Sequence, residues 1–96
     1  MRVRHDTLGK RVLRLRTKAG LSVSELARIA GLKSPSHIGL IEREERTWIA
    51  VQTALALSRA LGATVEWLVD GDGVEPTEDD VKRAIETARV AKAVAA

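Results

Sequence analysis

Ninety-six residues, 45% of them apolar and 30% charged, suffice for one compact domain with a short appendage. The absence of cysteine excludes a disulfide framework and a thiolate metal site, and with no bilayer-length apolar run or hydrophobic signal core a cytoplasmic protein without a membrane partner is expected. The net charge of +3 hides an asymmetry: residues 1–33 carry nine Lys/Arg against two acids, a net of +7, whereas the remainder carries seven against eleven, a net of −4. A basic front half suits a polyanionic partner, and it also suits a merely solvated helix face.

Apolar residues recur at helical spacing and no stretch alternates with the period of a half-buried strand, so an all-α fold is expected. Residues 1–6 form a basic arm containing Arg2, Arg4 and His5, either a loose tail or a contact for a polyanion. Helix 1, about 7–19, aligns Leu8, Val12, Leu15 and Ala19 and ends at Gly20; its other faces are mostly basic. Leu13 there is either simply exposed or a docking point for the last helix. Helix 2 opens at Ser22, where Glu25 three residues on completes a capping box, turns Val23, Leu26, Ala27 and Ala30 inward and ends at Gly31.

Helix 3 takes Ser34 as N-cap and Pro35 at the first helical position, where a missing amide costs nothing, with Ile38 and Ile41 inward. Helix 4, about 49–61, is expected to bury Val51, Ala54, Leu55 and Leu61 and to stop at Gly62. Thr64 caps a short helix 5 within "TVEWLVDG", and Gly71 and Gly73 break it. Residues 70–76 read as a solvated linker, 72–76 in its narrowest form, and Thr77 followed by three acids starts a final helix over 77–96. That helix has an alanine-rich stripe, Val81, Ala84, Ile85, Ala88 and Ala95, with Val90 and Val94 opposite. So small a stripe is expected to need packing, on its own domain or on a second copy.

Nothing in the chain suits catalysis. There is no Ser/His/Asp-like or Cys/His constellation, no phosphate loop and no H-E-x-x-H; the acids of 70–80 lack the EF-hand pattern, and the two histidines lack ligand spacing. Neither an enzyme nor a cofactor or metal is expected.

Five short helices, the second and third joined tightly through Gly31, make the arrangement of a helix-turn-helix unit with supporting helices. The segments "LGKRVLRLRTKAGLSVSELARIAGL", "SHIGLIERE" and "ALSRALGATVEWLVDG" resemble, in order and spacing, the Cro/C1-type (XRE-like) helix-turn-helix family typified by phage repressors. The resemblance covers roughly residues 7–71 and implies a five-helix lambda-repressor-like domain, to which the C-terminal helix is added. It implies a regulator of transcription that binds double-stranded DNA as a homodimer on an inverted repeat, with repression as the default outcome. By the same resemblance Arg16 and Glu42 form an internal ion pair that orients helix 3, Trp67 belongs to the core, and Ser22 and Val23 at the start of helix 2 meet a phosphate. Val23 replaces the usual glutamine, so that contact is expected to rest on the backbone amides and to be weaker.

With Ile38 and Ile41 inward, the outward line of helix 3 is Ser36, Gly39, Leu40 and Arg43, with His37 at its flank. Family members often carry glutamine, asparagine or arginine here; in this chain only Ser36, His37 and Arg43 can hydrogen-bond a base. Two readings stand open. In one, Leu40 packs on a thymine methyl, Gly39 allows close approach, Ser36 and His37 bond base edges, and Arg43 takes guanine or a phosphate. In the other, helix 3 or the C-terminal helix serves a protein partner, as in an antitoxin-like or antirepressor-like interaction module, with Leu40 a small hydrophobic contact and Glu44 and Glu45 repelling phosphates. A mid-helix glycine costs about 1 kcal/mol relative to alanine, which suggests close approach by a ligand or by a neighbouring helix.

The connection "GLKSPSHI" is one residue longer than usual; Lys33 is the extra residue and, with Ser34, is placed near backbone phosphates. Glu44 stands where the family has glycine, and "EERTWIAVQ" lacks the usual proline; Arg46 in this loop is a candidate phosphate contact, while Trp48 either fixes the loop or borders a dimer contact.

Overall fold

The computed structural model describes residues 6–95; Arg2, Arg4 and His5 and the side chain of Ala95 lie outside the described residues. Six helices follow in order: α1 Leu8–Ala19, α2 Val23–Ala30, α3 Pro35–Glu42, α4 Val51–Leu61, α5 Val65–Asp70 and α6 Glu78–Ala95, with no strand among the described residues. None of them is long and apolar enough to cross a membrane.

Local chemistry sets most of the boundaries. Thr7 Oγ1 accepts the Lys10 amide at 3.2 Å, the Ser22–Glu25 capping box closes at 2.9 and 3.1 Å, and Thr64 Oγ1 accepts the Trp67 amide at 3.0 Å. At the start of α6 Thr77 and Asp80 exchange the same pair of bonds, at 3.0 and 3.1 Å. At the other ends, α1, α2, α4 and α5 each stop on a glycine in the left-handed conformation.

Val12, Leu15, Leu26, Ile38, Ile41, Leu57, Leu61 and Leu68 are fully enclosed, and Trp67 packs with them. Val81 and Ile85 of α6 belong to the same cluster, so α6 docks on its own domain, against α1, α2 and α4. Its approach to α4 is close: a Cβ on Gly62 would lie 3.0 Å from Ala84 Cβ and 3.1 Å from the Asp80 carbonyl oxygen. Leu13 remains exposed, as do Val90 and Val94.

Three expectations need correction. On α4, Val51 and Leu55 are 71% and 37% exposed instead of buried. The inward stripe is Ala54, Leu57, Ser58 and Leu61, with helical spacing that takes in a serine in place of Leu55. Burying Ser58 is cheap because its hydroxyl donates to the Leu55 carbonyl within the helix, at 2.9 Å.

Residues 70 and 72–74 are exposed as a solvated linker should be, but its last two residues are strapped down. Pro76 is buried, and the Glu75 carboxylate accepts Arg14 Nε at 3.0 Å, Arg14 Nη2 at 2.8 Å and the Lys18 ammonium at 2.5 Å. Arg14 also reaches Asp6 at 3.0 Å and lies over the Trp67 ring.

The basic residues of α1, Lys10 apart, are engaged within the fold. Arg11, only 4% exposed, donates to the Leu68 and Val69 carbonyls at 2.9 and 2.8 Å, and to the Asp6 backbone and side chain. Those two carbonyls are orphans at the end of α5, where a cation also meets the negative end of the helix dipole. Arg11, Arg14, Arg16 and Lys18 are thus spent on the fold.

The two carboxylates in this network make it acid-sensitive. Hydrogen bonds from Arg14 hold the Glu75 carboxyl below its ordinary value, against burial, with help from Lys18. Burial pushes Asp6 up, but Arg14 and Arg11 outweigh it and the net shift is downward. A depressed folded-state value means that the unfolded chain takes up the proton first, so this stabilisation is complete above the ordinary values of 3.8 and 4.5 and is lost on acidification below them. The urea midpoint is expected to fall as pH drops through this range, and Glu75→Gln to flatten that dependence; a wild-type midpoint unchanged down to about pH 3 would show that the strap contributes nothing.

Candidate nucleic-acid interface

α2 and α3 are set against the core by Leu26 and Ala27 on one helix and Ile38 and Ile41 on the other. Gly31, at φ 75°, turns the chain between them, and the Leu32 amide returns to the Ala27 carbonyl at 2.8 Å. Two devices orient α3. The Arg16 guanidinium donates to both oxygens of Glu42, each at 2.7 Å, and its third donor meets the Leu21 carbonyl at 2.7 Å. One side chain therefore joins α1, the turn into α2 and the last residue of α3, and Glu42 raises its pKa against the opposing effect of burial. The second device is a backbone contact: a Cβ on Gly9 would lie 2.1 Å from the Ile41 carbonyl oxygen, so α1 touches α3 where only glycine fits.

The end of α3 carries strain. Glu44 has φ 61°, the only positive value outside glycine among the described residues, and costs about 1–2 kcal/mol by the ordinary left-handed penalty. The Glu44 and Glu45 amides close on Ile41 and Leu40, each at 3.0 Å, while Thr7 Oγ1 donates to the Glu44 carboxylate and ties this turn to the start of α1.

Outward from these anchors stand Ser36 and His37, both exposed, then Gly39 and Leu40, half-buried, and Arg43, exposed. Among the described residues, and apart from its chain neighbours and the backbone of its own helix, the atoms that an added Cβ on Gly39 would meet within 4 Å belong to the Arg43 guanidinium, the nearest at 3.0 Å. No neighbouring helix requires this glycine, which removes one of the two reasons for its presence. Arg43 rests on Glu45 at 3.2 Å, an exposed pair of small worth that a stronger acceptor can replace.

The expected phosphate contacts are placed as follows. Ser34 occupies the N-cap position of α3, but its hydroxyl pairs with Ser36 Oγ at 2.7 Å instead of capping the helix. Lys33 is exposed on the connection. The Ser22 hydroxyl is committed to the capping box, and Glu25, its carboxyl held low chiefly by the Ser22 backbone N–H, already places an anion at the start of α2 beside Val23. Arg46 stacks on Trp48, 4.8 Å from the ring centre, with Trp48 itself 63% exposed; they border a hollow shared with His37 and Thr53.

A family model described as helix-turn-helix matches residues 12–68. The chain belongs to this family, of the Cro/C1 (XRE) type, and has its lambda-repressor-like all-α fold. Domains of the family bind DNA in transcriptional regulation and are not enzymes. No curated protein and no solved structure gives a match. Gly9, Arg11, Glu75 and the whole of α6 lie outside the matched residues.

Sequence reasoning missed Gly9 and Arg11, which meet Ile41 and the Leu68 and Val69 carbonyls far along the chain; the only local sign was a basic residue within a helix already rich in them.

If the Arg16–Glu42 pair holds α3, Glu42→Ala is expected to lower the unfolding free energy by about 2–3 kcal/mol, because it strands a largely buried guanidinium. The double variant Arg16→Met/Glu42→Leu should regain much of this in urea denaturation; additive losses would show that the two side chains act independently.

Proposed function

We propose that the protein is a cytoplasmic, homodimeric repressor that reads an inverted-repeat operator through α3. The observation that carries this reading is the outward face of a firmly oriented α3 with a glycine at its centre that no internal packing requires. Gly39 lets the helix backbone approach the floor of the major groove, Leu40 meets a thymine methyl, Ser36 and His37 bond base edges, and Arg43 leaves Glu45 for a guanine edge or a phosphate.

Lys33, Ser34, Arg46 and the amides around Ser22 and Val23 hold the flanking phosphates, and Arg2 and Arg4 extend the contact from the arm. Glu25 at the start of α2 weakens that helix's own share. Residues 7–71 act as the reading domain, with 72–76 and α6 as its brace. The exposed Trp48, Val51 and Leu55 supply an apolar face for a second copy. A twofold pair of recognition helices calls for a palindromic site, and occupancy of such a site blocks transcription.

Two variants test the reading. Gly39→Ala is expected to raise stability by about 0.5–1 kcal/mol while weakening binding to a preferred duplex about tenfold, since the added methyl group holds the helix away from the bases. Lys33→Ala is expected to lower the slope of log K against log salt by about one on any duplex. Complex formation that ignores salt, or a Gly39→Ala protein that binds the preferred duplex as tightly as wild type, would count against base reading by α3.

A further inference from the structure

Among the described residues, several cations lack a carboxylate partner, and three of them share one surface. Arg11, Arg14, Arg16 and Lys18 are saturated by carboxylates and carbonyls, whereas Arg28 of α2 and Arg89 and Lys92 of α6 gather around one surface hollow, which Ile29 and Ala93 also line. All three are exposed, and among the described residues none has a carboxylate within ion-pair distance. Lys92 Nζ donates to the Arg28 carbonyl oxygen at the end of α2, which pins the C-terminal half of α6 across that helix. The carboxylate that feels Arg28 and Arg89 is Glu25, and it is already committed to the Ser22 amide.

Two guanidiniums and an ammonium over an apolar floor of about 330 Å³ make a concave positive site. Planar guanidiniums match phosphate oxygens, while the isoleucine and alanine suit the sugar face of a nucleotide. The site lies at the C-terminal end of α2, the helix whose N-terminus faces a phosphate in the proposed function, and Glu25 leaves that N-terminus poor in positive potential. We propose that Arg28 and Arg89, steadied by Lys92, bind a backbone phosphodiester of duplex DNA, so that α6 extends the DNA footprint beyond the helix-turn-helix unit. This assignment rests on the proposed DNA-binding function.

The test uses the full chain and a labelled duplex of random sequence, with affinity followed by fluorescence anisotropy across a salt series. Arg28→Gln/Arg89→Gln is expected to bind about tenfold more weakly at low salt and to lower the slope of log K against log salt by about two. Its melting temperature is expected to stay at the wild-type value, because both side chains are exposed; Lys92 is left intact because it braces α6. A wild-type slope in the double variant would overturn the subsite while leaving DNA binding in place. Wild-type protein that binds no duplex at all would overturn both. Inorganic phosphate that shifts the Arg28 and Arg89 side-chain NMR signals, combined with an unchanged DNA slope, would mark a free-anion site and refute the assignment to the DNA backbone.

Discussion

The geometry of the molecule depends on one guanidinium. Arg16 meets the two oxygens of Glu42 and the carbonyl of Leu21, so the end of α1, the turn into α2 and the end of α3 share one fixed point. A buried ion pair of this kind adds little net stability compared with an apolar pair, because desolvation consumes most of the Coulomb gain. What it does supply is direction. α3 is only eight residues long and rests on Ile38 and Ile41, two apolar contacts that permit some rotation. The pair, with the close approach of Gly9 to Ile41 and the Thr7–Glu44 bond, removes that freedom.

The same economy governs charge. A basic front half looks at first like a surface made for a polyanion, yet most of the cations of α1 close orphan carbonyls or clamp the segment leading into α6. The positive charge left for a partner includes Lys33, Arg43 and Arg46 around α3, and Arg28, Arg89 and Lys92 where α6 crosses α2. Net charge alone therefore misplaces the interface. The small, apolar face of α3 follows a related logic: with few side chains able to make bidentate bonds to bases, discrimination relies on close backbone approach and methyl contacts, and phosphate contacts carry the affinity.

Helix limits were legible because each is written locally: Ser22 with Glu25, Thr64, Thr77, and the glycines at 20, 31, 62 and 71 act over three or four residues. The inward faces of α1 and α2 followed from the same spacing. Helix 4 misled because hydrophobicity ranks Val51 and Leu55 above Ser58, whereas the backbone orientation buries Ser58 and satisfies its hydroxyl inside the helix. The end of the segment 70–76 looked as solvated as its start because nothing local says that Glu75 will meet Arg14 and Lys18, more than fifty residues away. Arg11 was hidden for the same reason. On α3 the outward residues could be read from the wheel, but the glycine at 39 was ambiguous until the space around it was known.

The most direct measurement is selection of the purified chain on a pool of random duplex DNA, at low and physiological salt, followed by sequencing of what is retained. This account predicts recovery of an inverted repeat whose half-sites are about one helical turn apart, each with a thymine opposite Leu40. Retention that is weak, salt-sensitive and without sequence preference would contradict it, and would make α3 a surface for a protein partner.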